Sequence, residues 1–267
     1  MAILAVSREY GSGGREIGRR LAARLGYAYV DKERLFQDLD HRGKRWGRAA
    51  RELDEVCPTL WERHDWQYQG YISLVESLIL DYAVQDRVVL IGRGAVILLQ
   101  GVPFCLKVRL TAPLEVRVER VMLEESLDRE AAAQLITRVD QDRACYLQTN
   151  YSKVWNDAGN YDLVLNTGRL GYDQTVELLL AALAEKESLA TPGARDRLAD
   201  LALACRLKAR LATDSRILAP TLKVRLDDGG AIIVSGVIHT PKEMQLVQEI
   251  AGEVCGSKAL QFDLKRR

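Results

Sequence analysis

Residues 2–26 constrain the fold more than any other stretch. Ala2-Ile-Leu-Ala-Val6 is a continuous apolar run, the pattern of a parallel strand buried on both faces. The chain then turns through Gly11-Ser-Gly-Gly14 into Glu16–Leu25, where Ile17, Leu21 and Leu25 share one helical face and Gly26 supplies a C-terminal cap. A strand passing through glycines into a helix aims backbone N–H groups and the positive end of the helix dipole at one point. Glycine lets the backbone wrap closely around an anion there. Gly11, Ser12, Gly13, Gly14, Arg15 and Glu16 are the candidate phosphate cradle. They depart from G-x-x-x-x-G-K-[ST]. Gly14 or Arg15 stands where the lysine belongs, and Glu16 where a hydroxyl would ligate magnesium. Arg15 can supply positive charge, as a planar fork rather than a point charge. On these residues alone, a tight strand–helix turn without a ligand reads the same way.

The remaining pattern alternates strands and helices, which predicts an α/β fold with a parallel sheet. Ala28–Val30 is a short strand ending at Asp31. Residues 33–85 are mostly helical and rich in charge. Arg87–Ile91 is a buried strand cut off by Gly92-Arg-Gly94, and Phe104–Leu110 is another. Helices follow from Pro113 to about Glu125 and, capped by Asp128, to about Tyr151. Asp162–Leu165 is a last strand before a helix from Tyr172 to about Lys186. Thr191-Pro-Gly193 breaks the pattern and sets a boundary, with domains over 1–187 and 195–267 and a linker over 188–194. Beyond it, a helix (Arg195–Leu211), two strands (Thr221–Leu226 and Ala231–Ser235) around Asp-Asp-Gly-Gly, a helix (Pro241–Val254) and a strand (Ala259–Leu264) predict a small α-β-β-α-β unit.

Composition narrows the function. A net charge of +1 over 267 residues points to no nucleic-acid or bulk membrane binder. The five cysteines, Cys57, Cys105, Cys145, Cys205 and Cys255, form no C-x-x-C pair, so reduced thiols are expected and no metal site is. No secretory signal is expected, since Arg8 and Glu9 end the first apolar run, and Val88–Val102 carries Arg93 and is too short for a bilayer. A cytoplasmic location is expected.

The chain resembles the cytidylate kinase-like family. The likeness is carried by Ser7-Arg-Glu-Tyr-Gly-Ser-Gly-Gly-Arg-Glu-Ile17, Leu25-Gly-Tyr27 with Asp31, Gly92-Arg-Gly94, Ala112-Pro-Leu-Glu-Val-Arg117 with Arg120, Asp140-Gln-Asp-Arg143 and Tyr161-Asp-Leu-Val-Leu-Asn-Thr-Gly168. It covers about residues 1–186. It implies a P-loop kinase-type sheet and an ATP-dependent phosphotransferase acting with Mg²⁺ on CMP or dCMP. It also implies roles: Asp31, Arg93, Asp140 and Arg143 toward the acceptor, and Arg117 and Arg120 at the start of a lid over the transferring phosphate. Residues 44–82, with Trp46, Trp61 and Trp66, fall where an acceptor-binding insertion lies, although tryptophans there are more often packing residues than stacking platforms.

Elementary chemistry agrees with this distribution. Phosphoryl transfer rests on aligning two phosphates and neutralising charge, work suited to Arg15, Arg93, Arg117, Arg120 and Arg143. Arg93 stands out, being a charge directly after a buried strand and between two glycines. Arg117 and Arg120 could equally form a solvated face with Glu119 and Glu124, and Asp140 could simply pair with Arg143. The C-terminal part is similar to a BON domain through its Gly229-Gly230 hairpin, Gly236 and a helix ending at Gly256. Residues 188–267 carry 13 Lys and Arg against 9 Asp and Glu, a basic bias that suits weak membrane or protein contact or an ordinary solvated module. Two rivals stay open: a kinase for another small phosphoacceptor, and a non-catalytic nucleotide-sensing module signalling through the C-terminal domain.

Overall fold

In the computed structural model, which describes residues 2–217 and 222–266, the elements run β1 (Ile3–Arg8), α1 (Gly14–Leu25), β2 (Ala28–Val30), α2 (Lys32–His41), α3 (Lys44–Leu53), α4 (Trp66–Gln85), β3 (Val88–Ile91), α5 (Ala95–Leu98), β4 (Cys105–Thr111), α6 (Leu114–Glu125), α7 (Arg129–Tyr151), β5 (Leu163–Asn166), α8 (Thr167–Glu187), α9 (Pro192–Thr213), β6 (Lys223–Leu226), β7 (Ile232–Ile238), α10 (Pro241–Cys255) and β8 (Leu260–Arg266). They form two compact units, one of Met1–Thr59 with Gln85–Thr191, the other of Leu60–Val84 with Pro192–Arg267. No helix among the described residues is long and apolar enough to cross a membrane.

The first unit holds a five-stranded sheet in the order β2-β3-β1-β4-β5, parallel throughout. This is the parallel α/β sheet that the alternating strands and helices predict. Residues 2–6, which lead into and form most of the central strand β1, are fully buried on both faces, the reason the run is apolar without alternation. Ala2, Leu4 and Val6 face a core with Ile17 and Leu21 of α1 and with Val176, Leu179 and Leu183 of α8. Because α1 leads away to β2 while β4 lies on the other side of β1, the loop after β1 sits where strand order reverses, the place such sheets leave open for ligands.

Two local readings shift. α8 begins at Thr167 rather than Tyr172, because the Asn166 side chain accepts from the Gly168 and Arg169 N–H groups and starts a turn that Gly171 (φ 74°) then kinks. The cysteines were expected reduced, yet Cys57 and Cys145 form a disulfide across 88 residues, with Cα atoms 5.2 Å apart. Only the fold brings them together, and a search for local spacing is blind to that. Cys105, Cys205 and Cys255 remain free thiols.

The second unit contains the expected α-β-β-α-β order. β6 and β7 pair antiparallel and β7 and β8 parallel, with α9 and α10 covering Ile232 and Val234. The expected start of its first strand, Thr221, lies outside the described residues. This unit also takes in α4, where Lys208 of α9 donates to buried Glu76 at 2.7 Å and Arg206 to Asp81 at 2.8 Å. It has a cavity of about 410 Å³ bordered by Trp66, Ser73, Lys208 and Leu211.

Candidate active site

A cleft of about 840 Å³ opens in the first unit at the carboxyl ends of β1, β2 and β3. One end is the glycine turn. Gly11 (φ 75°) and Gly13 (φ 81°) take left-handed conformations that strain any side-chain-bearing residue. A Cβ on Gly13 would lie 2.3 Å from the Tyr172 ring. Gly13 caps α1 with no side-chain hydrogen bond, so the free N–H groups of the first turn and the helix dipole serve the cleft.

The turn is held from behind. Asp140 accepts from the Tyr10 N–H at 2.9 Å and from Arg117 at 2.6 Å. Arg117 also donates to the Tyr10 carbonyl, and Arg120 to the Gly11 carbonyl and the Thr167 hydroxyl. Thr167 in turn donates to the Ser12 carbonyl at 2.7 Å. These donors take the turn's carbonyls, and its Tyr10 and Ser12 N–H groups go to Asp140 and the Glu9 carbonyl, so the amides that serve the cleft are those of the first turn of α1.

The other end is a cluster of arginines. β1 ends at Arg8, and β3 runs into Gly92, Arg93 and Gly94, all at positive φ. The φ of 78° at Gly92 strains a side-chain-bearing residue, and a Cβ there would also meet the Arg8 guanidinium. Arg143 reaches in from α7 and donates to the Arg8 carbonyl at 2.9 Å. The three guanidiniums meet at buried Glu55, and Arg93 also binds Asp54. Burial pushes the Glu55 carboxyl up, but the charges of Arg8, Arg93 and Arg143 outweigh it and hold the group well below the usual carboxylate range. Burial, together with the like charge of Arg8, lowers the Arg143 guanidinium to about 10.

Of the residues expected from the sequence, Gly11, Gly13, Gly14, Arg15, Glu16, Asp31, Arg93 and Arg143 border this one cleft. Asp31 also caps α2 by accepting from the Arg34 N–H. Ser12 is buried and donates to the Glu9 carbonyl. Arg117, Arg120 and Asp140 lie behind the turn, where they brace it. Arg117 binds Asp140, Glu9 and the Tyr10 carbonyl, and Arg120 the Gly11 carbonyl and Thr167, rather than the Glu119 and Glu124 that charge pattern offered, while Asp140 also lies 4.0 Å from Arg143. Among the tryptophans of residues 44–82, Trp46 is buried and Trp61 is exposed.

Sequence reasoning passed over Arg8, Glu9 and Glu55. Arg8 carried the same signal as Arg93, a charge at the end of a buried strand. Glu9 accepts from the Ala112 N–H and from Arg109, 100 residues away. Glu55 had no signal at all, since its partners lie 38 to 88 residues away.

The profile of the cytidylate kinase-like family matches residues 3–169. Cytidylate kinase of Methanopyrus kandleri is 29% identical over 182 residues, 65% of this chain and 88% of that protein. Uronate isomerase of Corynebacterium glutamicum is 40% identical over 113 residues, 42% of this chain but only 21% of that protein, so the likeness spans about a fifth of the isomerase. An uncharacterized protein from Eubacterium ventriosum has a similar structure, with a TM-score of 0.54 at 22% identity, over 69% of this chain and 99% of that one.

Proposed function

The chain belongs to the cytidylate kinase-like family, and from that premise we propose that it is a nucleoside monophosphate kinase that moves the γ-phosphoryl group of ATP to CMP or dCMP. The observation that carries this reading is convergence: the uncapped start of α1, Arg93 and Arg143 border one cleft although they come from distant parts of the chain.

In the proposed reaction the first-turn amides of α1, with Gly11 to Gly14, hold the donor phosphates, and Arg15 adds charge beside them. Arg8, Arg93 and Arg143 seat the acceptor's phosphate. An oxygen of that phosphate attacks the γ-phosphorus, the bond to the β–γ bridging oxygen breaks, and ADP and a nucleoside diphosphate result. The attacking oxygen is already anionic, so no general base is needed and alignment with charge neutralisation carries the rate. Arg117, Arg120, Asp140 and Thr167 act through the turn as positioning residues.

Uncapped amides between glycines fit a polyphosphate. The described residues contain no cluster of three metal-ligating side chains, and the Glu16 carboxylate is engaged by Arg20. Those residues fit magnesium carried in by the nucleotide and held chiefly through its phosphates, rather than an ion caged by the protein. Bound there, magnesium would neutralise phosphate charge.

An ADP-release assay with ATP, Mg²⁺ and a panel of nucleoside monophosphates tests the reading. Turnover should be fastest with CMP or dCMP, and Arg93→Ala should abolish it. The replaced lysine and hydroxyl at Gly14 to Glu16 favour one alternative, a nucleotide sensor working through the BON-like C-terminal unit. Nucleotide binding without turnover on any acceptor would select that alternative.

A further inference from the structure

Glu55 is surrounded as a phosphate would be. Its Oε1 accepts from Arg8 at 3.1 Å and from the Arg93 N–H at 2.8 Å; its Oε2 accepts from Arg8 at 3.2 Å and from Arg143 at 3.3 Å, with a further Arg93 nitrogen at 3.7 Å. Three guanidinium forks and a backbone amide around one anion make the constellation that proteins use for phosphate groups. Here the anion belongs to the chain.

The segment that delivers Glu55 is built unusually. It follows the C-terminus of α3, and Glu55 takes φ 48°, a left-handed conformation that a glutamate adopts at a cost. Burial along it is inverted: Glu55 is 8% exposed, whereas Val56, Leu60 and Trp61 are 43%, 72% and 89% exposed. Charge therefore holds the acid itself, and Pro58 is the buried apolar residue of the segment. Behind it the Cys57–Cys145 disulfide and a contact from the Cys57 N–H to Asp142 tie the segment to α7, the helix that carries Arg143.

We propose that Glu55 sits in the place of the acceptor's phosphate and must be displaced by it, an internal competitor that decides which acceptors enter. A carboxylate brings one negative charge and two oxygens. A phosphate monoester brings up to two charges and three terminal oxygens, so it satisfies three guanidiniums better and can take the seat. A nucleoside without a phosphate leaves Glu55 where it is. Asp54, bound to Arg93, moves with it. The Cys57–Cys145 bond keeps the displaced segment near and ready to return. This inference rests on the reading that Arg8, Arg93 and Arg143 seat the acceptor.

Calorimetric titration of the full chain with CMP and with cytidine tests it. Glu55→Gln and Glu55→Ala should bind CMP at least about tenfold more tightly than wild type, with cytidine affinity unchanged. Unchanged or weaker CMP binding by these folded variants overturns the inference. Should neither fold, Cys145→Ser decides the matter, since it keeps Glu55 and releases its tether: tighter CMP binding supports the inference, and unchanged or weaker binding overturns it. Arg143→Ala separates the two readings. If it costs CMP affinity while the Glu55 variants gain none, only the competitor fails; if it costs nothing, the acceptor seat fails with it.

Discussion

At the glycine end of the cleft the chain presents helix N–H groups that no side chain caps, whereas at the arginine end it supplies its own carboxylates to the guanidiniums. Both ends suit phosphate, by different means. The first uses backbone whose partial charges are fixed by the helix and need no counter-ion. The second uses three full positive charges in a buried space, a group that would repel itself apart without an anion among them. A backbone cradle can therefore stand open in the folded protein, while an arginine cluster needs an occupant from the start.

The comparison breaks most readily at Gly13. Gly13→Ala forces a Cβ into Tyr172 and a left-handed conformation on alanine, and turnover should fall by about 10²–10³-fold because the amides lose their geometry. Steady-state rates and ATP affinity would show it; a variant with normal ATP affinity would mean the cradle is not a nucleotide site.

Arg143→Lys comes next. It keeps the charge but loses the fork that reaches both Glu55 and the Arg8 carbonyl. The KM for the acceptor should rise about tenfold while that for ATP holds. Equal changes in both would show that the two ends do not work separately.

Asp140→Asn sharpens the view of the glycine end as braced from behind. Losing the charge that holds Arg117 and the Tyr10 N–H should lower stability by about 1–3 kcal/mol in denaturant unfolding and raise the KM for ATP. An effect confined to the acceptor would favour the substrate-binding role that the family resemblance implies for Asp140.

Acid tests the arginine end. The Glu55 carboxyl lies well below its ordinary 4.5, so the stability it contributes is complete above that value and is lost as pH falls toward the lower one. The melting temperature of the wild type should drop more steeply below pH 4.5 than that of Glu55→Gln; parallel curves would mean that the cluster does not hold its anion.

The smallest effect is expected at Arg15, more than half exposed and 3.6 Å from Glu33. Arg15→Ala should change stability by less than about 1 kcal/mol. A loss of turnover without a loss of stability would give Arg15 the part of the missing lysine.

Much of the glycine end was legible in residues 2–26, because strand, turn and helix are consecutive and each announces itself through local pattern. Arg93 was legible for the same reason, a charge where a buried strand stops. The arginine end as a whole was not. Nothing near Glu55 in sequence marks it, and the likeness that made Arg117, Arg120 and Asp140 acceptor or lid residues could not show that the turn's own backbone would take them as partners.

By itself the sequence determined the order of strands and helices, the glycine turn and the identity of the charges at strand ends, since these follow from periodicity and conformational limits acting over a few residues. Only the tertiary structure decided which charges meet: Glu55 with Arg8, Arg93 and Arg143, Asp140 with Tyr10, and Cys57 with Cys145. Electrostatic pairing and disulfide formation depend on distance in space, and it is the packing of α7 and residues 54–57 around the end of the sheet that sets those distances.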